Sequence, residues 1–494
     1  MHPLKRYRTL SIIAVVWAMT NTSNAECWPQ FRGVNGAGIS SSESTVAEFG
    51  PDKNVLWSIP IGSGHSSPCI VGNSIYLTTY DAESTQLEVV SVNKTNGQTN
   101  WRRSVKPPEI EKGHPSFNPA SSTPACDGER VVAYFGSFGL ICFSVSGEKQ
   151  WEVPMPLAKS YSGNATSPVI VGDSVILYRG NYVDHFLLAV DKQTGKQRWK
   201  VPQVERFTPD MACSSCPIVA GDKILIHSAR SVQAVNTADG KQIWQLKCRT
   251  TATSTPIIAG NDVLITTWNQ TGEPDLTPAV PSFEELIRKN DKNKDGVITK
   301  NEYPRLMIFH RAEGTEAPQN GFPLFFAFAD RDKDGKITND EWGNLSKRLA
   351  EERKKYVPHG LLSVRIDSNG ELSQKSIRKL ASQGIPEVPS PLYHEGLVYF
   401  VKNGGVLTCL DYKTGERVYR IRTKGRGTHY ASPIIAAGKL YTAAGNGTIT
   451  VLKLGRDPKV LATHQMDDAT YATPAIVNGT IFVRTHSKLY AFGK

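Results

Sequence analysis

A short motif recurs eight times along this chain: one or more small or hydroxylated residues, then Pro, then an apolar run. The copies are SSPCIV at Ser66, SSTPAC at Ser121, TSPVIV at Thr166, SSCPIV at Ser214, TSTPII at Thr253, PSPLY at Pro389, ASPII at Ala431 and ATPAIV at Ala472. Their prolines stand at 68, 124, 168, 217, 256, 391, 433 and 474. Successive copies are 39 to 56 residues apart, except for one step of 135. A second motif follows the first: an apolar strand, a turn carrying Gly, then an aromatic four residues on. It ends at Trp101, Trp151, Trp199, Trp244 and Tyr419, with a weaker copy lacking the aromatic at Asp367. Alternating strands such as Asp173–Tyr178, Lys223–His227 and Leu397–Val401 lie between. Each unit thus supplies about four short strands joined by tight Gly turns, and four strands in ~40–45 residues is the signature of a propeller blade.

The two ends complement each other. The eighth unit stops at KLYAFGK, after its third strand, whereas DKNVLWSIP near the N-terminus is a spare outer strand with Trp57 in the matching place. The expected fold is therefore all-β: an eight-bladed β-propeller whose N-terminal strand completes the last blade and covers its edge.

The pattern AVDKQTGKQRW, the opening WPQFRGVNGAGIS at Trp28 and the eight copies resemble the pyrroloquinoline-quinone-repeat propeller family. That family holds quinone-dependent alcohol dehydrogenases and the BamB-type scaffold of outer-membrane protein assembly. The resemblance covers 26–277 and 357–494. It implies that Trp57, Trp101, Trp151, Trp199 and Trp244 pack between blades against small residues of the next unit. A repeat of this kind specifies fold far more than activity.

The long step holds an insertion, 278–356, where the β pattern gives way to helical signals. Within it, DKNKDGVITKNE from Asp291 and DRDKDGKITNDE from Asp330 match the EF-hand loop. Calcium is a hard cation that takes six to eight oxygens. Asp291, Asn293, Asp295 and Asp330, Asp332, Asp334 supply positions 1, 3 and 5, and Glu302 and Glu341 close each site with two oxygens. Val297 and Lys336 offer backbone carbonyls, Thr299 and Thr338 act through water, and Gly296 and Gly335 make the sharp turn. Two calcium ions are expected, with Ile298 and Ile337 pairing the loops. Each Thr-x-x-Glu is also a capping box, so an exit helix is expected after both loops. Pro304 fits poorly with the first of them. Ser282 to Glu285 caps an entering helix, Leu324–Ala329 leads into loop two, and Asn339 to Lys355 reads as its exit helix.

Residues 1–25 read as a secretory signal: basic Lys5, Arg6 and Arg8, an apolar stretch from Leu10 to Met19, and Ser23-Asn24-Ala25 before the cut. The apolar stretch is shorter than the ~20 residues that span a bilayer. The expected location is the periplasm or outside the cell. Cleavage there lowers the net charge from +11 to +8, by removing three cations. A basic exported protein suits envelope or secreted protein partners and anionic glycans or lipids, with no compact Lys/Arg block to suggest nucleic acid. Of the eight cysteines, Cys213 and Cys216 form a CxxC. No second CxxC completes a zinc site, which leaves a local disulfide or free core thiols.

Residues just before the inner strands are expected to converge on one face as a ligand or partner surface: His65, His114, Asn118, Tyr161, Asn164, His429, Tyr430 and Tyr471. In the family's dehydrogenases the quinone lies between a Trp and a disulfide of adjacent cysteines, over a calcium in the funnel. This chain has no Cys-Cys pair and no CxxCH haem motif, nor GxSxG, HExxH or a Walker loop. The expected function is a non-catalytic, calcium-binding scaffold or binding protein without bound quinone. The alternative is a quinone-dependent oxidoreductase with an unconventional site.

Overall fold

The computed structural model describes residues 26–203, 212, 214–228, 230–248, 250–268, 278–310, 321–354 and 359–494. The expected leader and Cys213 lie outside them. Eight sheets, antiparallel except for one added strand, form the blades of a ring. Blade one consists of Cys69–Val71, Ser74–Asp81, Gln86–Asn93 and Thr99–Val105. Repeats two to four, six and seven fold in the same order. Ala475–Val477, Thr480–Arg484 and Lys488–Phe492 form the inner strands of blade eight, and Val55–Pro60 pairs with Lys488–Phe492 as its outer strand. The ring is closed by the two ends of the chain.

The core lies between blades. Leu77, Val90 and Val92 of blade one, for example, pack in one cluster with Ile476 and Phe482 of blade eight. Each middle strand buries both faces, so Arg130–Phe135 and Ser174–Arg179 read as nearly unbroken apolar runs. Outer strands alternate instead, as in Lys149–Pro154, where Trp151 is buried between exposed neighbours.

Each outer-strand Trp docks on the next blade. The indole Nε1 of Trp57 donates to Lys94 O at 3.0 Å, Trp101 to Val145 O at 2.9 Å, and Trp151 to Lys192 O at 2.9 Å. Trp199 and Trp244 do the same with Thr237 O and Ile366 O. The ring of Trp57 lies over Gly97, where an added Cβ would stand 2.8 Å from it, and Gly97 has φ +76°. That turn therefore needs glycine for its conformation and for the contact together.

Blade five departs from the pattern. Its strands Asp262–Thr267 and Gly360–Arg365 pair across the insertion. The weak repeat copy at Asp367 does not supply its outer strand. Gly370–Leu372 instead pairs in parallel with Gln242–Lys247 as a fifth strand of blade four, and Ile377–Ala381 closes blade five. Leu380 there contacts the Gly415 turn, a place that tryptophan takes in earlier blades.

In the insertion, helix α1 (Phe283–Asn290) starts at Ser282, whose Oγ accepts from Glu285 N at 3.2 Å. Helix α2 (Asn339–Lys354) follows loop two. The exit helix expected after loop one is not formed. Pro304 lacks an N–H and disfavours helix in the residue before it, and the chain runs instead into a hairpin, Leu306–His310 with Gly321–Leu324. The apolar run into loop two is a short 3-10 turn, Phe326–Phe328. Among the described residues, no helix is long and apolar enough to cross a membrane.

Candidate functional site

The repeated Ser/Thr-Pro motif builds the propeller axis. Proline biases the residue before it toward extended backbone, and each such residue hydrogen-bonds to its counterpart in the next blade. The N–H of Ser67 donates to Thr123 Oγ1 at 2.9 Å, Thr123 to Ser167 Oγ at 2.9 Å, and Ser167 to Cys216 Sγ at 3.3 Å. Cys216 donates to Thr255 Oγ1, Thr255 to Ser390 Oγ, Ser390 to Ser432 Oγ, and Ser432 to Thr473 Oγ1, all at 2.9–3.0 Å. Thr473 returns to Ser67 Oγ at 3.0 Å. The second cysteine of the CxxC is thus a ring member, its thiol standing where other blades carry a hydroxyl. Cys27, Cys69, Cys126, Cys142, Cys216 and Cys409 are free of disulfides.

Above this ring opens a cavity of about 240 Å³. Five of the eight expected face residues line it: His65, His114, Tyr161, Tyr430 and Tyr471. His65 packs edge-on against Tyr471 at 4.8 Å, and His114 against Tyr161 at 5.8 Å. Burial pushes the His65 imidazole down to about 3, with the Arg484 charge adding to the effect, so it is neutral.

The other three, Asn118, Asn164 and His429, do not line the cavity. Asn118 is buried, donating to Ser63 Oγ at 2.7 Å and accepting from Ala120 N at 2.8 Å. Asn164 is held by Glu111 Oε1 through its N and Nδ2 at 2.9 and 2.8 Å. His429 is fully buried, its backbone N–H donating to Asn403 Oδ1 at 2.8 Å and its Nδ1 3.2 Å from Gly427 O, and burial lowers its imidazole to about 4. These side chains satisfy loop groups that would otherwise be buried without partners.

Glu111 was not singled out in the sequence. It is buried behind the cavity wall, Oε2 has no hydrogen-bond partner, and burial lifts its carboxyl to about 7. Its only sequence signal is the long segment between the first two motif copies. Three fully buried guanidiniums were also missed: Arg179, which pairs with Asp184, and Arg484 and Arg32. Arg484 donates to Ser66 and to Thr78 O and Gly62 O, and Arg32 donates to Pro391 O at 2.6 Å.

Among the described residues, the cavity lining contains no tryptophan, cysteine, lysine or arginine, and its one carboxylate is Glu387. That set does not fit a quinone stacked between indole and disulfide over a calcium.

The loops of the insertion offer the opposite chemistry. Carboxylate oxygens of Asp330, Asp332 and Asp334 lie within 4.8 Å of one another. Asp330 Oδ1 is buried with no hydrogen-bond partner, an acceptor aimed where a cation would stand. Glu341 Oε1 accepts from Arg331 N at 3.1 Å and Oε2 from Thr338 N at 3.0 Å. Burial raises its pKa, but the Thr338 and Arg331 hydrogen bonds outweigh that and hold it below the usual value. In loop one, Thr299 hydroxyl and N–H donate to Glu302 Oε2 at 2.6 and 3.0 Å, pulling that carboxyl down to about 2. Asp291 is already engaged by Lys294 N and Gly296 N, and Asn293 Nδ2 donates to Asp295 at 3.0 Å. Gly296 and Gly335 take φ +81° and +84°, and Val297 and Lys336 follow them. Ile298 and Ile337 pair across the two loops. These donors suit a hard cation of calcium's size.

Comparison with known proteins matches both parts. An EF-hand family model covers 324–346. Calmodulin-like protein 2 of Arabidopsis thaliana is 32% identical over 108 residues, 21% of this chain and 69% of that protein. BamB from Moraxella catarrhalis superposes with TM-score 0.52 at 10% identity, over 89% of this chain and 99% of that one. The quinohemoprotein alcohol dehydrogenase from Comamonas testosteroni gives 0.52 at 11%, over 96% and 81%. A europium-containing methanol dehydrogenase gives 0.52 at 10%, over 96% and 99%. At these identities the structural matches show the fold alone. The family model described as outer membrane protein assembly factor BamB matches residues 37–182, 85–320 and 361–492. With its eight PQQ-type repeats closed into a propeller and matched over most of their length, the chain belongs to that family.

Proposed function

We propose that this is an exported propeller that binds calcium and acts as a binding or scaffold protein of the envelope, without catalysis of its own. The observation that carries this reading is the separation of chemistries. The cavity presents hydroxyls, neutral imidazole and aromatic faces with one carboxylate among its described lining, whereas the clustered cation ligands lie in the insertion. Such a cavity mouth can hold a partner by stacking and hydrogen bonds but offers no activated nucleophile and no ligands for a catalytic metal. A leader at 1–25 agrees with a BamB-type setting, and partners are envelope or secreted proteins, with anionic glycans or lipids as surfaces. Calcium fills both loops and organises 278–356 as a unit. Without that segment, and with a short Gly/Ser linker, 26–277 and 357–494 still melt cooperatively as a propeller.

The test is affinity capture from the native envelope with wild type and a Tyr161→Ala/Tyr471→Ala variant. A partner kept by the first and lost by the second supports the reading, and identical capture by both overturns the cavity mouth as the binding surface. Adding pyrroloquinoline quinone and calcium decides the alternative. A quinoprotein absorbance band with alcohol-dependent dye reduction would replace this proposal by an oxidoreductase.

A further inference from the structure

The hairpin that replaces the first exit helix brings phenylalanines to the surface of the insertion. Phe322 and Phe325 are 42% and 49% exposed, among the most exposed large apolar side chains described. They pack with Phe328 into a small cluster, with ring centroids 5.8 Å apart for Phe322–Phe325 and 5.5 Å for Phe325–Phe328. Phe328 packs against the unit's core of Leu286, Ile298, Ile337, Trp342 and Leu345, whereas Phe322 and Phe325 are not among the residues of that core or packed on it. Cations stand beside it. Arg348 Nη2 donates to Phe328 O at 3.1 Å, and Arg348, Lys347 and Arg331 line one surface notch of about 220 Å³ with Asn344. Among the described residues, Glu351 is the one carboxylate lining that notch.

Charge connects the notch to the calcium loops. Segment 278–356 carries fifteen Lys and Arg against fourteen Asp and Glu, a net charge of +1. Two calcium ions would bring it to about +5, since each adds two charges. Arg331 adjoins the first ligand of loop two, and its N–H holds Glu341. Without the ion, the negative charges of Asp330, Asp332, Asp334 and Glu341 stand uncompensated on the loop that carries Arg331.

We propose that the calcium-loaded insertion docks on an anionic phospholipid surface. Phe322 and Phe325 enter the interface, and the notch of Arg331, Lys347 and Arg348 takes a headgroup phosphate. The inference rests on the calcium reading above and names the lipid class for one of its partners. Exposed benzyl groups flanked by long cations suit the boundary between headgroups and acyl chains. Basic residues near an anionic leaflet are attracted to it over a Debye length. An acidic protein would use the cations but gives no reason for a projecting aromatic cluster.

The full-length protein is tested by co-sedimentation with phosphatidylcholine vesicles, with and without phosphatidylglycerol, in calcium or in chelator. Calorimetry records calcium binding for every variant. The expected result is sedimentation with the anionic vesicles in calcium only, reduced about tenfold or more by Phe322→Ser/Phe325→Ser and by Lys347→Glu/Arg348→Glu. Unchanged calcium heats in those variants exclude misfolding of the loops. Calcium heat without vesicle binding, or binding equal in wild type and both variants, overturns the docking proposal and leaves the calcium reading intact. Absence of calcium heat overturns the calcium reading itself. Notch-dependent binding of free glycerol phosphate, or of polyglutamate, without sedimentation would assign the notch to a soluble phosphate or an acidic protein and overturn the membrane.

Discussion

The backbone N–H of Thr473 donates to Ser67 Oγ at 3.0 Å across 406 residues of sequence, completing a circuit of eight inter-blade hydrogen bonds. Ser67→Ala removes that acceptor and leaves a buried N–H without a partner, which costs about 1–3 kcal/mol. A melting temperature lowered by several degrees is the expected result, read by circular dichroism. Cys216→Ser keeps an acceptor in the ring and is expected to melt with the wild type. An unchanged Ser67→Ala melt would mean that the circuit contributes nothing to stability.

Closure of the ring depends on the N-terminal strand. Deleting 26–60 removes the outer strand of blade eight and the indole of Trp57 over Gly97, and is expected to destabilise all blades together. Trp57→Ala alone should cost about 3–5 kcal/mol, as for other buried tryptophans. Chemical denaturation of the two proteins measures both effects, and a wild-type midpoint for the deletion would refute closure.

Calcium should bind loop two more tightly than loop one. Loop two offers three aspartates and Glu341, with Asp330 Oδ1 unengaged, and α2 follows directly. Loop one replaces one carboxylate with Asn293, ties up both Asp291 oxygens, and has Pro304 where a helix would steady Glu302. Exported modules commonly bind with Kd values of ~10⁻⁴–10⁻³ M. Calorimetry is expected to show a larger loss of affinity for Glu341→Gln than for Glu302→Gln, and the reverse order would contradict the ranking.

Glu111 makes stability depend on pH. Its carboxyl titrates at about 7 in the fold against 4.5 for the ordinary value, because burial disfavours the charged form. The folded protein therefore holds this proton more tightly than the unfolded chain. Its ionisation is not penalised below about 4.5, and stability falls as pH rises through about 7, by on the order of 3 kcal/mol. His65, His227 and His429, whose values are lowered by burial, act with the opposite sign at lower pH. The measurement is thus the difference between wild type and Glu111→Gln. The variant should gain stability relative to wild type between pH 5 and 8, and parallel curves would show that Glu111 does not titrate in that window.

What the sequence by itself determined is what is written locally and repeatedly. Eight Ser/Thr-Pro copies, Gly turns before an aromatic, and a spare strand at Trp57 fix eight blades and their closure, because most blades are built from one contiguous segment and the two parts of blade eight each carry their own repeat signal. The calcium loops are legible for the same reason: their ligands lie within twelve successive residues, and Asp330 to Glu341 needs no distant partner to be recognised. Even the missing helix after loop one was foreshadowed by Pro304, whose ring acts on its own turn. Tertiary structure alone decided which loop residues face the cavity. His65 and Tyr471 reach it together although 406 residues separate them, while the side chains of Asn118, Asn164 and His429, equally polar in sequence, are consumed by buried backbone and by Glu111. It also moved Gly370–Leu372 to a neighbouring blade and set Cys216 in the hydroxyl circuit. These outcomes depend on which buried donors and acceptors remain to be paired once the ring has closed, and no stretch of sequence carries that information alone.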